Sequence, residues 1–159
     1  MPGDNAAPSR QTESAMVFRA PVSLDELNGL SRSTLIEHLG IVFTAAGEDW
    51  LQATMPVDAR TLQPYGLLHG GASVVLAETL GSSAGMLAAR GDAVVGLEIN
   101  ANHLRAVRSG LVTGTARPLH VGRSTQVWEI RIEDAAGKPV CISRITLAVL
   151  PKPPASGQA

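Results

Sequence analysis

Leu51, Ala53, Met55 and Val57 alternate with polar or small residues, the two-residue period of a strand with one covered face. Residues 41–46 form another strand-like run, and Gly47-Glu48-Asp49 supplies the turn between the two. Upstream, Ser23 and Glu26 make an S-x-x-E capping box that starts a short helix near Leu24. Ser31–Leu39 adds a turn or two, stopped by Gly40. Downstream of the strands lies a polar, Pro-containing loop at 58–66. It runs into a helix at about 70–90 that is apolar almost all round and is ended by Gly91-Asp92. Four strand-like runs follow. In the first, Val95, Leu97, Ile99 and Ala101 alternate onto one face. The second, Leu111–Arg117, is shorter and less regular. In the third, Gln126, Trp128, Ile130 and Ile132 alternate with Val127, Glu129 and Arg131. Residues 139–150 are rich in Ile, Val and Leu, and Asp134-Ala-Ala-Gly137 turns the chain into them.

Strands joined by short turns favour an antiparallel sheet. An apolar helix must be wrapped by something. The order therefore predicts an α+β fold, a curved antiparallel sheet around one central helix. The length of 159 residues suits a single domain with a substantial core. The ends, residues 1–20 and 151–159, read as disordered tails rich in Pro, Ser and Ala, which leaves 21–150 as the folded unit.

Charge and cysteine content narrow the function. A net charge of -1 argues against a nucleic-acid binder relying on a strong positive field. The N-terminus lacks the apolar core of a secretory signal. The stretch Ala72 to Ala89 carries Glu78, serines, a threonine and glycines, a poor membrane span. The expectation is a protein with neither nucleic acid nor membrane as partner. One cysteine, Cys141, excludes an intrachain disulfide framework and a Cys-rich zinc site, and fits a reducing, cytoplasmic setting. The histidines His38, His69, His103 and His120 show no ligand spacing, so no metal is expected.

Within Gly70–Ala89, Glu78 is the only charged side chain. A carboxylate in apolar surroundings is costly unless paired, hydrogen-bonded or protonated, so it is a candidate acid, base or nucleophile. The competing reading is a glutamate on an exposed stripe of the helix. Ser82 lies one turn further on the same face and could hold a water near it. His69-Gly70-Gly71 opens the helix, where unpaired N–H groups carry partial positive charge and glycine admits a close ligand: a candidate oxyanion hole. His69 and Glu78 are nine residues apart, about 13.5 Å and two and a half turns along a helix, so they face opposite sides. If both act on one substrate, each site combines two chains of a dimer. Gly81-Ser-Ser-Ala-Gly85 also fits the G-x-S-x-G of serine esterases, but Ser83 is deep in a helix and not at a strand-to-helix elbow.

The segment Gln63-Pro-Tyr-Gly-Leu-Leu-His69-Gly-Gly-Ala-Ser-Val-Val-Leu-Ala-Glu78 resembles the hotdog-fold acyl-CoA thioesterases, above all the 1,4-dihydroxy-2-naphthoyl-CoA hydrolases of menaquinone synthesis and the related 4-hydroxybenzoyl-CoA thioesterases. MPVDART at 55–61, VGLEINANHLR at 95–105 and PLHVGRSTQVW at 118–128 extend the likeness over roughly 24–150. The resemblance implies a hotdog fold, a homodimer with shared sites and usually a tetramer of two dimers. It implies an acyl-CoA substrate and no separate cofactor. It assigns Glu78 as nucleophile or general base, Gly70 N–H as the group that polarises the thioester carbonyl, Gln63 and His69 as orienting residues from the opposite subunit, and Ser82 as a water holder. It assigns CoA contacts to His103, Arg105, Gly122, Arg123 and Ser124. Tyr65, where Phe is common, and the longer N-terminal tail depart from the pattern. Alternatives are a hotdog hydratase or dehydratase, for which no Asp/His signature is present, and a non-catalytic acyl-CoA-binding module.

Overall fold

The computed structural model describes residues 16–18, 20–89 and 91–151. Two short helices, α1 (Leu24–Leu30) and α2 (Leu35–His38), precede strands β1 (Val42–Ala46) and β2 (Leu51–Val57). The long helix α3 (Gly70–Ala88) follows, then β3 (Ala93–His103), β4 (Gly110–Val121), β5 (Thr125–Asp134) and β6 (Pro139–Leu150). The strands form one antiparallel sheet in the order β1-β2-β4-β5-β6-β3, wrapped around α3: a hotdog fold.

The capping box is formed as the sequence predicts, with Glu26 N–H donating to Ser23 Oγ. The core sits between α3 and the inner face of the sheet. Leu51, Ala53, Met55 and Val57 of β2 and Trp128, Ile130 and Ile132 of β5 all point into it. Leu76, Ala77, Leu80 and Ala84 meet them from the helix.

Glycine sets how closely helix and sheet approach. A Cβ on Gly81 would lie 2.4 Å from Ile145 Cγ2, and one on Gly114 would lie 2.6 Å from Leu80 Cδ1. Ile145 is buried and β-branched, so its γ-methyl cannot swing aside. Gly81→Ala is therefore expected to destabilise the fold by ~1–2 kcal/mol: overpacking costs about 1–3 kcal/mol, and the gain in helix propensity returns less than about 1. Urea denaturation reads this as a lower midpoint at unchanged slope. A midpoint at or above wild type would refute the close approach.

Three expectations need correction. Ordered packing begins before residue 21. Phe18 is buried, stacks on Trp128 at 6.1 Å between ring centroids, and donates its N–H to Glu48 O. An aromatic ring available to cover the core outweighs the polar composition around it. The remainder of both proposed tails lies outside the described residues, apart from a few positions at their inner ends.

Second, β4 runs on to Val121, because it keeps pairing with β5 past an irregularity between Pro118 and His120. Third, the alternation through Val95, Leu97, Ile99 and Ala101 is broken. A bulge between Gly96 and Glu98 shifts the register, so Ile99 and Ala101 pack on the core while Val95 and Leu97 are exposed.

The two sheet edges differ. On β1, Asn28 of α1 reaches the outer edge at Phe43: its Nδ2 donates to Phe43 O, and its Oδ1 accepts from Phe43 N–H. That side chain blocks the edge as a strand would. At the other end lies β3, eleven residues long, with no strand beyond it among the described residues.

Candidate active site

The loop between β2 and α3 is pinned at both ends. The Arg60 side chain bonds the Asp58 carboxylate at 2.6 Å and holds its pKa down at about 2. The buried Thr61 hydroxyl donates to Pro56 O, and Thr61 O accepts from His69 N–H at 2.8 Å. Gly66 N–H closes a turn on Gln63 O, and Gly66 has the positive φ of 72° that this turn requires. Leu68 N–H is held by Val107 O. Gln63 Oε1 accepts from Tyr65 N–H, which leaves the amide nitrogen as its free donor, while the Tyr65 ring projects into solvent. The turn thus delivers Gln63 and His69 to the start of α3.

His69 is the N-cap of α3. Its backbone is extended, and Nδ1 accepts from Gly71 N–H at 2.8 Å. Nδ1 therefore carries no proton, and the neutral ring presents Nε2–H as a donor. Ala72 and Ser73 N–H both go to His69 O. Gly70 N–H is left with no acceptor among the described residues. The His103 imidazole lies over Gly70, where a Cβ would come within 2.7 Å of Nε2 and push the ring aside. A groove of about 350 Å³ opens here, and Gln63, Gly70, Ser73, His103 and Arg105 supply its polar lining. Ser73 is the member that sequence reasoning missed. Its signal was a serine one turn after Gly70, on the face of the helix that otherwise carries Leu76, Ala77 and Leu80.

The cap separates two roles of His69. His69→Ala should lower stability by about 1 kcal/mol through loss of the cap, whereas asparagine, itself a good N-cap, should restore it. Asparagine cannot replace the Nε2–H donor, so His69→Asn should regain thermal stability without regaining turnover. Thermal unfolding beside kcat tests this, and an asparagine variant as unstable as the alanine variant would sink the capping role.

Glu78 stands elsewhere. It is exposed in the single chain, on a stripe of α3 shared with Gly71 and Met86, with Ser82 half-buried one turn on. Its Oε1 lies against Gly96, where a Cβ would be 3.1 Å away. Gly96 is seven residues before His103 on β3, so helix and strand run past each other. Gly70 meets one end of the strand and Glu78 the region of the bulge. Glu78 is not among the residues that line the groove at Gly70.

The residues assigned to CoA divide likewise. His103 and Arg105 line the groove at the helix start. Gly122 and Arg123, in the β4–β5 hairpin, line a second cleft of about 500 Å³ at the helix end with Ala88, Asp92 and Gln126. Ser124 in the same hairpin fixes β6 by accepting Val149 N–H. Burial pushes the Cys141 thiol up, so it stays protonated at neutral pH and supplies no nucleophile. Among the described residues no cluster of three His, Cys, Asp or Glu could hold a metal, and no helix is long and apolar enough to cross a membrane.

Residues 65–141 match the family model for the thioesterase superfamily. The proofreading thioesterase EntH of Cronobacter sakazakii is 56% identical over 136 residues, covering 85% of this chain and 99% of its own. A mutant thioesterase of Pseudomonas aeruginosa superposes with a TM-score of 0.84 at 52% identity, over 85% of this chain and 99% of that one. A thioesterase of Haemophilus influenzae gives 0.85, also at 52% identity, over 89% and 100%. The chain belongs to the thioesterase superfamily. As a superfamily member it is a thioester hydrolase.

Proposed function

We propose that this thioesterase hydrolyses an aromatic or medium-chain acyl-CoA to the free acid and CoA, in sites shared between two chains. The observation that carries the proposal is the Gly70 N–H, unpaired among the described residues and set in a groove with Gln63 and His103, on the same helix as a lone carboxylate that lies outside that groove. The thioester carbonyl oxygen accepts from Gly70 N–H. Gln63 and His69 Nε2–H orient the acyl group. Glu78 of the second chain attacks the carbonyl carbon or takes a proton from water that does, with Ser82 holding that water. The C–S bond breaks and the CoA thiolate leaves, taking the proton that Glu78 drew from water; where Glu78 itself attacked, the thiolate takes a proton from solvent and water then hydrolyses the mixed anhydride, releasing the acid and restoring the carboxylate. Arg105 and Arg123, with His103, Gly122 and Ser124, take the phosphates and the pantetheine arm.

Support for the dimer comes from the edges of the sheet. β1 is closed by Asn28, while β3 offers a long free ladder beside exposed Val95 and Leu97. Pairing through β3 carries Glu78 and the bulge at Gly96 to the junction. The aroyl preference, of the 1,4-dihydroxy-2-naphthoyl kind, rests on the sequence resemblance, and the relative named a proofreading thioesterase supports thioester hydrolysis in general. A tetramer of two dimers rests on the same resemblance. The test is thiol release from a panel of aroyl- and alkanoyl-CoAs. Turnover on an aroyl-CoA at least as fast as on hexanoyl-CoA is expected. No turnover on any member, with acyl-CoA binding retained, would favour a binding module instead.

A further inference from the structure

Five polar side chains are fully buried among the described residues: Ser31, Thr61, Ser73, Gln126 and Ser143. Ser31 donates to Leu27 O, Thr61 to Pro56 O and Gln126 to Gly85 O. Ser143 contacts Cys141 Sγ at 4.0 Å. Ser73, 1% exposed, is the exception: its hydroxyl makes no hydrogen bond with any described residue. The usual escape for a helical serine is its own helix, four residues back. His69 O already accepts two N–H groups there, and the Ser73 hydroxyl does not join them. Among the described residues no wholly sealed side-chain nitrogen or oxygen lacks a partner, so the Ser73 oxygen keeps a narrow opening to the groove instead. What Ser73 faces is the groove beside Gly70.

The helix start has spent its other donors. Gly71 N–H is held by His69 Nδ1, and Ala72 and Ser73 N–H by His69 O, so Gly70 contributes a single free backbone N–H. Ser73 lies one turn past Gly70. Side chains on a helix lean toward its N-terminus, so the hydroxyl covers the turn that Gly70 begins. Three residues rise about 4.5 Å. Two donors that converge on one oxygen, each about 2.9 Å from it, stand about 5 Å apart.

We propose that Ser73 Oγ–H is the second donor to the reacting carbonyl oxygen, pairing with Gly70 N–H across one turn of α3. This inference rests on the thioesterase reading above. The hydroxyl keeps its proton throughout and forms no covalent bond. Its contribution grows as negative charge gathers on the oxygen, so it acts on turnover more than on binding.

The experiment compares wild type, Ser73→Ala and Ser73→Cys on benzoyl-, hydroxybenzoyl- and hexanoyl-CoA, with thermal unfolding alongside. In the alanine variant kcat is expected to fall roughly 10- to 10³-fold by a common factor on all three, with KM within about 3-fold. Its Tm should hold, since the hydroxyl that is removed bonds no described residue. Cysteine, a weaker donor of similar shape, should fall between the two. An unchanged kcat overturns the proposal. So does a loss confined to hydroxybenzoyl-CoA, which would put the hydroxyl on the ring, or a loss that tracks a fall in Tm, which would make Ser73 a packing residue. If wild type releases no thiol from any substrate, the functional reading itself fails and this inference falls with it. Turnover by wild type and by Ser73→Ala alike would refute this inference alone.

Discussion

Glu78→Gln is expected to lower kcat by roughly 10²–10⁴-fold, the range that a positioned acid or base contributes, with little change in fold. Glutamine keeps the shape of the side chain and removes only the charge and the basic oxygen. The residue is exposed in the single chain and makes no ion pair among the described residues, so its loss breaks no structural bond. Whether the carboxylate attacks the carbonyl or activates water, the amide can do neither. In the proposed site the substrate would still be held by Gly70 N–H, Arg105 and Arg123, so KM should stay within about 3-fold. Steady-state thiol release measures both constants. A variant retaining more than about a tenth of wild-type kcat would remove Glu78 from the chemistry and return it to a surface glutamate on a helical stripe.

That glutamate shows how far the sequence could be read. Its isolation in an apolar helix was plain, and so was the glycine-rich entry at Gly70. Both follow from local pattern. Its surroundings were not legible, because exposure of a helical stripe depends on which strands wrap the helix and where the sheet stops. The Leu97 bulge has the same origin. Val95, Leu97, Ile99 and Ala101 look like one face, but pairing with β6 inserts an extra residue and splits them between two. Phe18 escaped because a single aromatic in a polar stretch carries no period. The edge-blocking role of Asn28 joins residues fifteen positions apart, which no local rule connects. Ser73 stood within the helix start, yet its significance lies in a missing partner, which only a census of hydrogen bonds reveals.

The second large effect concerns assembly. Two inactive variants should regenerate activity when mixed. One is Glu78→Gln. The other is Gln63→Ala with His69→Asn, which removes both orienting donors but keeps the helix cap. A mixed dimer then holds one site built from intact Glu78 and intact Gln63 and His69, and one site with all three altered. After unfolding and refolding an equal mixture, half the dimers are mixed, so activity should recover to ~25% of wild type if the pairing is a random two-fold one. The expectation follows from the proposed shared site: the groove at Gly70, with Gln63 in its lining, contains no residue from the Glu78 stripe. Were each site built within one chain, every chain in the mixture would carry a disabling change, and the activity would stay at the sum of the two variants alone. Regeneration therefore separates a shared site from a dimer of self-sufficient chains, which measuring mass alone cannot do.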